Sequence, residues 1–131
     1  MPRRKSQSSR ISVFKGQKAK LNHAIFQTLA LKGPQTIYDI HRIVKAQRKL
    51  RHVRYASVNK RVRSLQDSGY IKKIGAKKTK SGFQANIYEL TARAYLAILL
   101  NSINLNQLVI LADETTATEI LSDIIFARLA K

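Results

Sequence analysis

Cysteine is absent from this chain of 131 residues, which excludes disulfides, thiolate metal sites and thiol nucleophiles. Acidic residues are scarce, because seven Asp and Glu stand against 25 Lys and Arg, and the formal charge is +18. Long apolar runs are also missing, since the longest spans residues 94–100, far short of the roughly 20 residues that cross a membrane. No apolar core follows the basic N-terminus, so no signal peptide is expected. The sequence predicts a soluble, cytoplasmic protein with one domain's worth of chain.

The positive charge is concentrated in the first two thirds of the chain. Residues 1–93 contain 23 Lys and Arg against three Asp and Glu, a net +20, whereas residues 94–131 contain two against four, a net −2. A surface as basic as the first attracts polyanions. Nucleic acid is favoured over an anionic membrane, because no segment combines a broad apolar face with a face of Lys and Arg. The basic part is therefore the candidate nucleic-acid surface.

Composition divides the chain into three parts. Residues 1–16 carry five cations and several serines without any acid, which predicts a flexible basic arm. This arm either only solubilises the chain or contacts DNA. Residues 17–93 contain the patterns of one folded domain, and residues 94–131 contain apolar helices that are expected to form a dimer interface.

Two amphipathic helices are predicted at the start of this domain. The first covers about residues 18–32 and ends at a Gly-Pro pair, and the second ends near residue 47. Thr36 and Asp39 have the spacing of a capping box at the start of the second helix. The inward positions repeat at helical spacing and are Leu21, Ile25, Leu29, Ile37, Ile40 and Val44.

A third, basic helix is predicted over residues 55–68, after a basic connector at residues 48–54. Val58, Val62 and Leu65 lie at i, i+4 and i+7 and define its inward face. The outward surface mixes cations with groups that recognise hydrogen-bonding edges, and consists of Ala56, Ser57, Asn59, Lys60, Arg63 and Ser64. Gly69 supplies a helix stop.

A β-hairpin is predicted next, with strands at residues 70–74 and 83–88 and a turn-rich tip at residues 77–82. Three lysines belong to this tip, namely Lys77, Lys78 and Lys80. Thr91 is expected to cap a further helix, and Thr116 with Glu119 has capping-box spacing ahead of the last one. That last helix is apolar over more than one face, so it must bury the surface somewhere.

The order of helix, helix, basic helix, two-stranded wing and helix resembles the winged helix-turn-helix transcription regulators of archaea and bacteria. Its most specific pieces are Tyr-Ala-Ser-Val at residues 55–58, Leu-Gln-Asp-Ser-Gly-Tyr-Ile at 65–71 and Ile-Tyr-Glu-Leu-Thr at 87–91. Residues 29–40 are similar to the PadR-like and MarR-like branches, although Ala94 stands where the family usually has Gly. The expected fold is mostly α with a small β-hairpin, a winged helix-turn-helix with a C-terminal helical extension.

The resemblance implies that helix 55–68 enters the major groove of double-stranded DNA and that the 77–82 wing contacts the backbone or minor groove. Lys60 and Arg63 have the chemistry to donate to guanine, Asn59 to pair with adenine, and the Ala56 methyl to touch thymine. Tyr55 and Ser57 are expected to hold phosphates at the helix start. Thr36 would hold a phosphate or act only as a helix cap. Lys77, Lys78 and Lys80 would contact DNA or only add solubility.

An enzyme is not expected. His23, His41 and His52 are too widely spaced for a local zinc site, and His41 beside an apolar stripe favours a structural role. No metal, cofactor or catalytic carboxylate pair is indicated. The leading interpretation is a nucleoid-associated, homodimeric regulator of transcription that binds double-stranded DNA sequence-selectively.

Two other interpretations remain open. One is a winged-helix protein that binds RNA or associates with ribosomes, which is less favoured because most of the five Tyr and four Phe occupy positions compatible with a core. The other is a chromatin protein that binds DNA without sequence preference. Ser57 and Asn59 argue against it, because a nonspecific binder needs only cations.

Overall fold

A computed structural model describes residues 11–129 of the protein, and it is mostly helical with one small antiparallel sheet. This confirms the predicted class at that level. The helices are α1 (Ala19–Lys32), α2 (Ile37–Lys45), α3 (Tyr55–Asp67), α4 (Ala92–Ser102), α5 (Leu105–Leu111) and α6 (Glu114–Leu129). The strands are β1 (Gln35–Thr36), β2 (Ile71–Lys78) and β3 (Gln84–Leu90). The first ten residues of the predicted arm lie outside the described residues.

The chain divides into two compact units between Asn101 and Ser102. The sequence placed this division after residue 93, so α4 was expected to belong to the tail. The structure instead buries Ala94 and Ala97, which are 0% and 5% exposed, in the core of the first unit. Small side chains at these two positions let α4 pack closely there, so the first unit retains most of this helix.

The core of the first unit is formed by the helix faces that the apolar spacing predicts. Eight of the nine predicted inward positions of α1, α2 and α3 are buried, and Leu21 is partly buried against them. Burial of each Ile, Leu or Val contributes about 1.5–3 kcal/mol relative to exposure. The remaining face of α3 is thereby fixed toward solvent.

Within the predicted arm, the described residues 11–16 include the buried side chains of Val13 and Phe14, which corrects that part of the prediction. Ser12–Phe14 forms a 3₁₀ turn, and the Phe14 ring meets the Phe26 ring edge-on with centroids 5.6 Å apart. The buried side chain of Asn22 donates from Nδ2 to the Val13 carbonyl over 2.9 Å. These contacts outweigh the basic, serine-rich composition, and the expected flexible arm therefore does not include residues 11–16.

The basic connector between α2 and α3 is pinned by a histidine. A 3₁₀ turn occupies Arg48–Leu50, and His41 Nε2 lies 3.0 Å from the Val53 carbonyl oxygen, to which it donates. The His41 ring also meets the Tyr55 ring edge-on at 5.8 Å. The structural role predicted for His41 is confirmed, since its ring fixes the start of α3.

The end of α3 sets the direction in which the hairpin leaves. Gly69 has φ +85°, and the amides of Gly69 and Tyr70 donate to the carbonyls of Gln66 and Leu65, the Schellman pattern of a helix end. Thr91 then closes the base of the hairpin, because its amide donates to the Tyr70 carbonyl and its hydroxyl to the Gly69 carbonyl over 2.6 Å. The same hydroxyl accepts from the Ala94 amide, so the predicted cap of α4 is confirmed.

The sheet has the order β1-β3-β2, with all pairs antiparallel. Both hairpin strands are longer than predicted, and their register runs from Ile71 opposite Leu90 to Lys78 opposite Gln84. The tip is consequently shorter than the predicted residues 77–82. It is closed by the Thr79 amide, which donates to the Phe83 carbonyl over 2.7 Å. Strand β1 was missed, because two residues carry no detectable alternation.

The second unit contains α5 and α6, and the start of each helix is capped by a side chain. Asn104 Oδ1 accepts from the Gln107 amide, and Asp113 Oδ1 accepts from the Thr116 amide over 2.7 Å. The predicted cap of the last helix at Thr116 is wrong, because α6 begins three residues earlier and Asp113 caps it. Hydrogen bonds from Thr116 lower the pKa of the Asp113 carboxyl, since they stabilise its ionised form.

Among the described residues the longest helix is α6, whose 16 residues are fewer than the roughly 20 that cross a membrane. No single helix there is both long and apolar enough for a span, although α4 and α5 together meet the length and composition of a broken one.

Candidate nucleic-acid interface

The solvent-facing side of α3 carries the side chains that the sequence placed there. Ala56, Ser57, Lys60 and Arg63 are exposed, while Val58, Val62 and Leu65 are buried on the other side. Arg54 precedes the helix without a side-chain cap, and no acidic residue lies in the first turn. The Ser57 amide already donates to the Arg54 carbonyl over 3.0 Å, so the amides of Tyr55 and Ala56 are the ones available to an anion, together with the Ser57 hydroxyl.

Arg63 and Asn59 are joined on this helix. The Arg63 Nε donates to the Asn59 Oδ1 over 3.1 Å, one turn away, and Asn59 is half-buried. Bidentate pairing with adenine requires that oxygen as an acceptor for the adenine amino group. Because the oxygen already accepts from Arg63, Asn59 is better placed to orient the guanidinium than to read adenine as predicted.

A groove of about 210 Å³ runs between α3, the start of α2 and strand β3. Tyr38 and Tyr55 are 64% and 45% exposed and both line it. The other lining residues are Thr36, Ile37, Asn59, Arg63, Gln84, Ala85, Asn86 and Tyr88. No acidic side chain of the described chain lines this groove, which therefore combines one guanidinium with amides and phenols.

Gln84 and Asn86 belong to this groove and were missed from the sequence. They alternate with Ala85 along β3, so they share the strand face of Tyr88, whose hydroxyl accepts from Asn86 Nδ2 over 3.4 Å. Amide side chains donate and accept hydrogen bonds, as the edges of bases do. In the sequence, two amide residues flank Ala85 just before Tyr88. This alternation of polar and apolar residues could have indicated that both amides lie on one face of the strand.

Thr36 lies in the floor of the groove rather than on its surface. It is 4% exposed, and its hydroxyl accepts from the Asp39 amide over 3.1 Å. The capping role predicted for Thr36 is confirmed. The alternative role of holding a phosphate is disfavoured by this burial, because an anion cannot reach the hydroxyl without displacing the cap.

The three lysines of the predicted tip have different surroundings. Lys77 lies within β2 opposite Ala85, and its Nζ is 3.7 Å from Asp39 Oδ2. Lys78 ends the strand opposite Gln84, and Lys80 lies in the exposed turn. Lys78 and Lys80 thus remain candidate DNA contacts, whereas the charge of Lys77 is partly offset by a carboxylate that Arg42 also contacts.

Aromatic rings are more exposed than the sequence predicted. Five of the nine Tyr and Phe rings are exposed, and these are Tyr38, Tyr55, Phe83, Tyr95 and Phe126. The prediction that most of them occupy core positions is wrong. Helical spacing selected aliphatic positions correctly, but rings at a groove rim and a hairpin tip carry no periodic signal. The positions of the rings therefore do not disfavour stacking of bases on this surface.

Comparison with known proteins adds no family to this picture, since no protein-family model and no curated protein matches the chain. Among the described residues there is also no group of three or more His, Asp or Glu side chains able to hold a metal ion.

Proposed function

We propose that the protein is a winged helix-turn-helix regulator that binds double-stranded DNA sequence-selectively, with α3 in the major groove. In this proposal the β2–β3 hairpin is the wing and contacts the backbone or the minor groove. The order of elements supports it, because a basic helix with one buried face is followed directly by a hairpin whose base is tied to the helix end. The width of a major groove accommodates one α-helix.

The observation that carries the proposal is the juxtaposition of Arg63, Asn59, Gln84 and Asn86 in one groove beside the exposed cations of α3. Nonspecific attraction to phosphates needs cations alone. Base selection needs directional donors and acceptors, which Arg63, Gln84 and Asn86 supply while Asn59 orients the Arg63 guanidinium. The arrangement therefore supports a protein that distinguishes sequences.

The residues take three roles in this proposal. Arg63 and Lys60 donate to guanine edges and the Ala56 methyl contacts thymine, while Asn59 orients Arg63. Tyr55 and Ser57 hold phosphates at the start of α3. Lys78 and Lys80 hold the backbone beside the wing.

Homodimerisation through the second unit completes the proposal. The α6 side chains of Ile120, Leu121, Ile124, Ile125 and Phe126 are 39–75% exposed. Monomeric proteins rarely leave so much contiguous apolar surface in water, so a second copy of α6 is the proposed cover. Two copies of α3 would then contact half-sites about 34 Å apart, one turn of DNA.

Selection from random duplex DNA at physiological salt tests the proposal. We expect an enriched motif with two-fold symmetry, and a log–log salt slope of about −5 to −7 if six to eight phosphates are contacted. Arg63→Ala should cost about 1–3 kcal/mol on the selected site and relax base choice at one position. Arg63→Lys keeps the charge but not the planar fork, so it should relax base choice with a smaller loss of affinity.

Lys78→Ala supplies the contrast, because a lost phosphate contact should weaken all sequences equally and reduce the salt slope by about one. The exposed Lys32 at the end of α1 is the charge-matched control, and Lys32→Ala should leave the slope unchanged. Parallel loss of specific and nonspecific binding in the Arg63 variants would show that α3 does not read bases.

RNA binding is the second candidate, and the exposed rings of Tyr38, Tyr55 and Phe83 favour it. Unpaired bases stack on such rings with about 1–3 kcal/mol each. Competition between duplex DNA and structured RNA at matched salt separates the two candidates. Preference for the duplex, unchanged by Tyr38→Leu, supports DNA; preference for RNA, lost in that variant, supports the alternative.

A further inference from the structure

A second concave site lies in the first unit, on the side of α3 away from the groove. It is a pocket of about 450 Å³ between the 3₁₀ turn at Ser12–Phe14, the start of α1 and the C-terminal half of α3. This volume falls within the range typical of small-molecule sites. Its lining residues are Ser12, Val13, Lys15, Gln17, Lys18, Asn22, Arg61, Leu65, Ser68 and Tyr70.

Arg61 is held in this pocket by a buried amide. Its Nε donates to the Asn22 Oδ1 over 3.0 Å, and Asn22 is only 3% exposed, with its Nδ2 donating to the Val13 carbonyl. One edge of the guanidinium is thereby fixed, and its outer nitrogens remain as donors. Because the Arg61 guanidinium is already held in one orientation, less side-chain entropy is lost when its nitrogens bind an oxyanion.

The charge of Arg61 is not compensated within the described residues. No carboxylate there pairs with it, and partial burial lowers the pKa of its guanidinium by removing water from the charged form. Lys15 and Lys18 are exposed and line the same pocket, which has no acidic lining residue. Three cations around a concave surface form a positive potential that attracts anions.

We propose that this pocket binds phosphate groups, with Arg61 as the fork and Lys15 and Lys18 as flanking charges. The multiple cations favour a polyanion over a single carboxylate, and guanidinium groups bind phosphate oxygens in pairs. The phosphate comes from the backbone of bound DNA or from a free phosphorylated small molecule. Only the first source depends on the proposed DNA-binding function.

Titration of the full chain with tripolyphosphate, by calorimetry at constant ionic strength, tests the pocket. Saturable binding with one site per chain is expected. Arg61→Gln should weaken it roughly tenfold or more, since hydrogen bonds to a charged group are lost, and Lys18→Gln should weaken it several-fold. Lys20→Gln removes the same charge from an exposed α1 position outside the pocket and should have no effect.

Arg61→Gln also alters a contact with a buried side chain, so Lys18→Gln decides the matter if the first variant unfolds. Equal affinity in the Lys18 and Lys20 variants, or binding without saturation in the native chain, would overturn the pocket. Neither Lys18 nor Lys20 belongs to the groove, so the phosphate titration is independent of base selection. A native chain that binds tripolyphosphate but selects no DNA sequence would count against the proposed function and not against this site.

Duplex DNA distinguishes the two phosphate sources. If the backbone supplies the phosphate, tripolyphosphate competes with DNA, and Lys18→Gln lowers DNA affinity with a salt slope shallower by about one. If a free phosphorylated molecule is the ligand, DNA and tripolyphosphate bind together and Lys18→Gln leaves DNA affinity unchanged. Either result supports the pocket and assigns its source.

Discussion

The two units of this chain contain similar aliphatic residues but differ in how much of those side chains is exposed. In the first unit Ile25, Ile40, Val44, Val58 and Val62 are all 0% exposed. In the second unit the large aliphatic side chains of α5, and those of α6 as far as Ile125, are 38–77% exposed. The first unit is therefore stabilised by burial, whereas the second depends on local hydrogen bonds at its helix starts and on whatever covers its apolar surface.

Matched truncations of isoleucine give the largest expected difference between the units. Ile40→Ala removes a fully buried side chain and should lower the free energy of unfolding by about 2–5 kcal/mol. Ile124→Ala removes one that is 54% exposed and should cost within about 0.5 kcal/mol at low protein concentration. Chemical unfolding followed by circular dichroism measures both.

Protein concentration then sharpens this comparison. If α6 pairs with its copy, the cost of Ile124→Ala should rise with protein concentration, because a dimer is stabilised by mass action. The cost of Ile40→Ala should not. A loss of several kcal/mol in the Ile124 variant at every concentration would show that the second unit has an internal core.

Truncation after Asn101 removes the second unit at the observed division. The remaining fragment keeps the core described above, so it should stay folded and sediment as a monomer. On DNA with two half-sites it should bind at least about 100-fold more weakly, whereas a single half-site should be bound as before. If the intact chain already sediments as a monomer, the tail does not dimerise the protein.

Glycine substitutions test how firmly the first unit holds its hairpin. Gly69→Ala places a side chain at φ +85° and should cost about 1–2 kcal/mol of stability. Its new Cβ would lie 3.0 Å from Arg93 Nη1, the flexible end of a side chain that can move aside. Gly75→Ala is the control, since nothing lies within 4 Å of its Cβ, and it should change stability by less than about 0.5 kcal/mol. Equal effects in urea unfolding would contradict the strain at Gly69.

The smallest expected effect concerns the local hydrogen bonds of the second unit. Because the pKa of Asp113 is lowered in the folded helix, its capping contribution is present above the unfolded pKa and is lost as pH falls through the folded pKa. In the native chain the chemical shift of the Thr116 amide, measured by NMR, should therefore change as the pH falls. Asp113→Asn keeps a capping oxygen but cannot ionise, so it should remove this pH dependence. Asp113→Ala should leave the start of α6 frayed at every pH. An unchanged acid titration in the Asn variant would assign the effect to another carboxyl.

Periodic features of this chain were predictable, and contacts between distant segments were not. The inward faces of α1, α2 and α3 follow from i, i+4 spacing, because one buried stripe repeats along each helix. Phe14 and Asn22 gave no such signal, since an edge-on ring pair and an amide bridge to Arg61 arise only when the chain has folded. Asp113 and Thr116 both had capping chemistry, and spacing alone did not choose between them.

The candidate interface shows the same division. The outward face of α3 was predictable, since it is the complement of a periodic apolar stripe. Gln84 and Asn86 entered the site only because β3 extends along α2 and α3, and Lys77 was displaced from the tip because the strands are longer than their β-propensity indicated. Strand length was set by pairing across the hairpin, which is a nonlocal property.

Thr91 joins three elements through one side chain and one amide. It bonds Gly69 just after α3, Tyr70 just before the first strand of the hairpin, and Ala94 in the first turn of α4. In native-state hydrogen exchange, these three boundaries should therefore open together with a single free energy rather than fray separately. Thr91→Val would replace that one cooperative event by independent ones, seen as unequal exchange rates at the Tyr70, Thr91 and Ala94 amides.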